Sequence, residues 1–228
     1  TDTDTDDDYM GSCTTDSGCT DDVYSGDCYS LFMGTWDADR CPDDTPIDST
    51  APWGENLVTN PGLETGDLTG WTVLAGEGEV YDYDYGTADS CLVQTGGHTG
   101  SYHLGTSFEP CLRAQEIDLL AMGFSEAELD EAPTIVTSEW FKEVGSEDYY
   151  DFRVQLLTAD GTEITSIDLD GSTGGTAEDK WFEVTHTFSD YGTGLRTIRI
   201  EDGGEDTEYW AGWYGARLDD ASIVLTAP

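Results

Sequence analysis

Trp181-Phe182-Glu183-Val184-Thr185-His186-Thr187-Phe188 is the stretch from which the fold can be read. With side chains alternating at a period of two, Phe182, Val184, His186 and Phe188 share one face, as in a strand with one side turned inward. His186 then faces the core or its rim, where a hydrogen-bonded packing role explains it better than catalysis. Moving outward, similar short runs of branched and aromatic residues recur: 71–74, 91–94, 134–141, 152–157, 163–169, 195–200 and 222–225. Gly, Asp and Thr clusters separate them. This spacing predicts an all-β sandwich or jelly roll from Asn56 onward.

One helix interrupts the strands. Ser125 stands three positions before Glu128, the spacing of a capping box that satisfies amides left orphaned at a helix start. Phe124 and Leu129 are placed to staple it, and Pro133 stops it after about two turns. No repeat of about 20–50 residues occurs, which excludes a solenoid or propeller.

The chain has 228 residues, with 49 Asp and Glu against 8 Lys and Arg, a formal net charge of -41. Such a surface repels phosphate backbones and anionic headgroups, so nucleic acid is excluded as a partner. No apolar run reaches the roughly 18 residues that membrane insertion needs. Cations, uncharged polymers and basic partners remain. At 37% hydrophobic and 11% aromatic, the chain has the material for a true core.

The beginning differs from the rest. Residues 1–50 hold 14 Asp, no Glu and one base, Arg40. Residues 1–12 are expected to form an extended acidic Thr/Asp stalk, because their charges repel and bury nothing. Residues 13–41 form a small cysteine-rich module with Cys13, Cys19, Cys28 and Cys41, open to three disulfide pairings. None of these spacings is a Cys-x2-Cys pair, which argues against zinc. Pro42, Pro46 and Pro52 mark a linker over 42–55, and the sandwich is expected over 56–228. Six cysteines and a start without Met or leader suggest a mature secreted or cell-surface protein. Cys91 and Cys111 either pair within the sandwich or remain thiols; the even count favours pairing.

Two longer stretches carry more than pattern. The first is Ser107-Phe108-Glu109-Pro110-Cys111-Leu112-Arg113-Ala114-Gln115-Glu116-Ile117-Asp118-Leu119, with Glu139-Trp140-Phe141 beyond it. The second is His186-Thr187-Phe188-Ser189-Asp190-Tyr191-Gly192, followed by Gly203-Gly204-Glu205-Asp206-Thr207-Glu208-Tyr209-Trp210-Ala211-Gly212-Trp213-Tyr214-Gly215-Ala216-Arg217. With Asn60-Pro61 and Asp67-Leu68-Thr69-Gly70-Trp71, residues 56–226 resemble the F-box-associated domain of sugar-recognising F-box proteins. The resemblance implies a galactose-binding-like jelly-roll β-sandwich with one short helix. It also implies a glycan site in loops at one end, with the N-glycan core or another oligosaccharide as a neutral partner. Phe108 is then the stacking ring and Tyr209-Trp210 the main contact pair, with Asn60 and the Glu147-Asp148 loop nearby. Ala211 departs from the pattern by replacing a lysine donor. No F-box precedes the domain, so the expected protein is an extracellular relative of the sugar-binding half.

The ends of the domain also resemble secreted carbohydrate-binding modules. Asn60-Pro61-Gly62-Leu63-Glu64 with Gly70-Trp71, and Leu218-Asp219-Asp220-Ala221-Ser222-Ile223, match elements that hold a structural Ca²⁺ there. By that resemblance Glu64, Asp219 and Asp220 supply hard oxygen ligands. Independently of either resemblance, a sugar offers a C–H face to an aromatic platform and hydroxyls to carboxylates or amides. Tyr209, Trp210, Trp213 and Tyr214 sit among four glycines. Trp213 and Tyr214 are expected to plug the core, while for Tyr209 and Trp210 it is the family resemblance that implies rings facing the ligand.

Gly-x-Ser-x-Gly, His-Glu-x-x-His and phosphate-loop motifs are absent, and His98, His103 and His186 lack metal-ligand spacing. The expected function is therefore noncatalytic carbohydrate binding. The alternative is a structural or adhesive surface protein that self-associates and has lost the sugar site.

Overall fold

The computed structural model describes residues 10–15, 18–24, 35–37, 51–76, 80–82, 86–145, 147–174, 180–209 and 211–227, with only the backbone given before residue 51 and over 80–88. By contacts the chain divides into two units, Thr1–Ser49 and Thr50–Pro228. In the first unit, strands β1 (Met10–Thr15), β2 (Gly18–Tyr24) and β3 (Thr35–Asp37) form a sheet in the order β2-β1-β3. The expected 13–41 module thus contains regular strands; the sulfurs of Cys13, Cys19, Cys28 and Cys41 lie outside the described residues.

The second unit is a jelly-roll β-sandwich with one short helix. Its strands are β4 (Thr72–Ala75), β5 (Val80–Asp82), β6 (Gly86–Ala88), β7 (Leu92–Thr95), β8 (Tyr102–Gly105), β9 (Cys111–Asp118), β10 (Ile135–Lys142), β11 (Tyr149–Leu157), β12 (Glu163–Asp168), β13 (Gly171–Ser172), β14 (Trp181–Phe188), β15 (Thr197–Glu205) and β16 (Arg217–Leu225). One sheet runs β14-β10-β16-β8-β7; the other runs β12-β11-β15-β9-β4, with β13 also pairing β11. A separate hairpin joins β5 and β6. All recorded pairings in the sandwich are antiparallel.

Alternation is what makes the two layers. Along β10, Ile135, Thr137, Glu139 and Phe141 are buried while the residues between them face outward. In β11 the buried set is Phe152, Val154 and Leu156, and in β15 it includes Ile198, Ile200 and Asp202. These inward faces meet in one core with Leu104, Leu218 and Ile223. Phe182, Val184 and His186 do lie on the partly buried side, with the His186 ring 4.7 Å from Phe188. β8 and β9 carry no clean period of two in apolar residues, because His103, Arg113 and Gln115 are buried polar residues. Polarity hid both strands from pattern reading.

The helix spans Glu126–Asp130 and carries the expected reciprocal cap between Ser125 and Glu128. Phe124 is buried and meets the Trp53 ring edge-on at 4.8 Å. The sandwich starts earlier than Asn56. Gly54 donates its amide to the Leu225 carbonyl, and Ala51 is already buried, so 51–55 is packed chain rather than linker. Among the described residues no helix is long and apolar enough to cross a membrane.

The interior holds an ion cluster. Arg113 donates from Nε to Asp202 Oδ1 at 2.6 Å and from Nη2 to Asp202 Oδ2 at 3.1 Å, and lies 3.5 Å from Glu139. Its guanidinium stacks on Trp71, 3.7 Å from the ring centre. All three charged side chains are fully buried. Burial pushes the Glu139 carboxyl well above the usual range, the Asp202 charge adds to this, and Arg113 opposes it.

Candidate functional site

The strand register decides which loops meet. Arg217 pairs with Gly105 and Lys142 with Arg217, while Gly204 pairs with Cys111 and Tyr149 with Glu205. The loops 106–110, 143–148 and 206–216 therefore leave the sandwich at the same end. Hydrogen bonds lock them together. Asp206 N donates to Ser107 O, Ser107 Oγ to Gly212 O, Gly215 N to Thr106 O, and Thr106 Oγ1 to Ala216 O. Thr207 Oγ1 donates to Glu147 O, which ties in the third loop. Glycine is required where backbones cross: a Cβ on Gly203 would lie 2.0 Å from the Cys111 carbonyl oxygen.

Four large rings stand exposed at this end, Tyr149 at the first position of β11 and three on the loops. Phe108 is 43% accessible, Tyr209 47% and Tyr214 50%. Tyr209 and Tyr214 lie 5.5 Å apart with planes tilted by 58°, so they form a bent corner rather than a flat face. Asp206 builds this corner: its Oδ1 accepts from the amides of Glu208 and Tyr209 at 2.7 and 2.9 Å. A rigid loop is thus made to hold apolar rings in water, an arrangement that costs free energy unless something covers the rings.

The expected contact residues separate under this geometry. Phe108 and Tyr209 are exposed at the loop end, and Trp210 lies outside the described residues. Trp213 is buried and donates from Nε1 to Asp89 O, as a core plug does. Tyr214, expected in the core, is instead the most exposed of the three loop rings. The residue after it, Gly215, closes onto the neighbouring loop, where a Cβ would lie 2.5 Å from Thr106 Oγ1. Asp148 does not serve as a contact: it is fully buried, accepting from Val144 N while its own amide donates to Thr173 Oγ1. Asn60 is also spent internally. Its Nδ2 donates to Thr65, Asp67 and Thr69, its Oδ1 accepts from Thr65 N, and it lies beside Trp71. Gln115, further along β9 and away from Phe108, binds this loop through Thr59 and Gly70. Asn60 therefore belongs to a different part of the sandwich.

The three acids expected to bind calcium do cluster, but around a loop. Glu64 accepts from Ser101 N and Tyr102 N at 2.8 and 3.0 Å, and Asp219 from His98 N at 2.6 Å. Asp220 lies 2.8 Å from His98 Nδ1 and accepts from Thr99 Oγ1 at 2.7 Å. Burial, then the Asp220 charge, raises the Asp219 carboxyl to about 6, against the amides that favour its charged form. Among the described residues no three His, Cys, Asp or Glu side chains converge to hold a metal. As placed, the three acids anchor the 98–102 loop through its amides, the Thr99 hydroxyl and His98. Cys91 and Cys111 are bonded, joining the entries to β7 and β9.

A sandwich that presents aromatic rings from loops braced at one end belongs to the class of β-sandwich recognition domains. Comparison with known proteins gives the family: the F-box associated region matches residues 49–225, and the chain belongs to it. F-box only protein 6 of Mus musculus is 35% identical over 208 residues, covering 86% of this chain and 68% of that protein. F-box only protein 2 of Bos taurus is 33% identical over 202 residues, covering 80% and 65%. The chain thus spans about two thirds of the length of these relatives. A solved structure, TmCBM61 in complex with β-1,4-galactotriose, is 18% identical with a TM-score of 0.45, covering 75% of this chain and 99% of that one.

These relatives overturn the expected secreted or cell-surface location, since F-box only proteins are intracellular. Cysteine number was the misleading signal. A bonded pair shows that two sulfurs lie within reach of each other, which the fold decides, and not which compartment holds the chain.

Proposed function

We propose that the chain is a noncatalytic carbohydrate-binding domain that takes a glycan without negative charge on the rings of Phe108, Tyr209 and Tyr214. The single observation that carries this reading is the cluster of three exposed rings on loops fixed to one another by backbone hydrogen bonds. Such rings match the C–H face of a pyranose, and the acids beside them accept from its hydroxyls. Trp210 adjoins Tyr209 in sequence and is the natural fourth ring. Ala211 brings no donor to sugar oxygens, so orientation of the glycan falls to carboxylates and main chain.

Calorimetry with chitobiose and mannose-rich oligosaccharides, alongside a broad glycan array, tests the proposal. Phe108→Ala and Tyr209→Ala should each weaken binding by about tenfold, roughly 1.4 kcal/mol. Silence across the panel overturns it, as does a double variant that is folded and binds as the parent does.

A further inference from the structure

Resting on that glycan-binding reading, we infer that the rim prefers an amino sugar carrying a free ammonium, of the glucosamine type, over its N-acetylated counterpart. The segments that bear the rings, residues 106–110, 143–149 and 203–215, hold seven Asp or Glu and no Lys or Arg. Three of these acids are exposed: Glu109 directly follows Phe108, Glu208 directly precedes Tyr209, and Glu147 is tied through its carbonyl to Thr207. Lys142 and Arg217 lie just outside the segments, opposite each other across β10 and β16, with Lys142 Nζ 5.8 Å over the Trp181 ring.

A second observation points the same way. Asp206 is 2% exposed, and while its Oδ1 caps two amides, its Oδ2 is buried with no hydrogen-bond partner. A carboxylate with half of its acceptor capacity unmet therefore sits directly beneath the Tyr209 turn. It adds to the negative potential in which the rings stand.

The chemistry follows from ring and rim together. An aromatic face attracts a cation through its quadrupole, and neighbouring carboxylates supply the opposite charge. An ammonium on the sugar satisfies both and donates three hydrogen bonds to a rim of acceptors. An acetamide instead brings a carbonyl acceptor to segments without a cationic donor. The same field repels uronic and other acidic sugars.

The test is calorimetry on the full chain with chitobiose and with its fully deacetylated counterpart, below the pKa of the amine, at low and high salt. The deacetylated sugar should bind about fivefold more tightly at low salt, the size of one exposed cation–π contact, with the margin shrinking as salt screens it. Glu208→Gln should cut that margin by about half. Equal or weaker binding of the amine, or a margin indifferent to salt, overturns the inference and leaves the glycan reading intact. A margin that survives Tyr209→Ala marks general attraction to an acidic surface and also overturns it. Failure of both sugars to bind also overturns the inference, whereas the glycan reading itself falls only with silence across the broad array.

Discussion

Replacing Arg113 by methionine tests whether the buried ion cluster is a structural joint between the sheets. The substitution keeps an unbranched side chain over Trp71 but removes a guanidinium that makes two hydrogen bonds to Asp202, at 2.6 and 3.1 Å. Asp202 and Glu139 are left fully buried with no cation between them. Removing one partner of a buried pair costs about 3–5 kcal/mol, because the other charge stays stranded away from water. The lost stacking on Trp71 adds roughly 0.5–2 kcal/mol. Against a typical total stability of about 5–15 kcal/mol, this is about a quarter or more of what holds the domain.

Urea unfolding followed by tryptophan fluorescence measures the loss, and its pH dependence identifies the cause. Burial raises the Asp202 carboxyl while Arg113 holds it down, so without Arg113 it is pushed higher still. Its protonation then relieves the strain, and the deficit of Arg113→Met should shrink on going from neutral to about pH 5. Glu139 has a folded pKa above its unfolded value. Its contribution is full below the unfolded pKa and is lost as pH rises through the folded one. Glu139→Gln should therefore be tolerated, and should gain on the parent as pH rises. A loss below about 1 kcal/mol for Arg113→Met at unchanged denaturant slope, or a loss independent of pH, would refute the reasoning.

Other outcomes follow from single features. Ser125→Ala removes the hydroxyl that accepts from Glu128 N and donates to the Glu128 carboxylate, leaving only the main-chain half of the reciprocal cap, and should cost about 1 kcal/mol, read as a melting point lowered by roughly 2–4 °C in calorimetry. His103 is 1% exposed, and burial, then the charges of Arg217 and Lys142, lowers it to about 4. Because the folded value lies below the unfolded one, its contribution is full above the unfolded pKa and is lost as pH falls through the folded pKa. An NMR titration should show His103 still neutral at about pH 5. Reduction of Cys91–Cys111, which are 20 residues apart, should cost about 3 kcal/mol by freeing the unfolded chain, visible as a lower urea midpoint.

Much of the architecture is written in local order. The strand 181–188 has the boundaries its alternation predicts, and Ser125 with Glu128 fixes the start of the helix, because each depends only on near neighbours in the chain. The family was legible too, through long ordered motifs rather than any one residue. What sequence could not do was sort the acids and aromatics by environment. Asp148 and Glu147 are adjacent, yet one is fully buried and the other exposed; Trp213 and Tyr214 divide in the same way. Which neighbour faces water is set where β9, β11, β15 and β16 cross and where Gly203 and Gly215 let backbones close to contact. Those approaches join residues about 100 positions apart, a range over which local periodicity carries no information. Sequence alone thus determined the two-layer β framework and its kinship, and only the tertiary structure decided which rings and carboxylates reach solvent together.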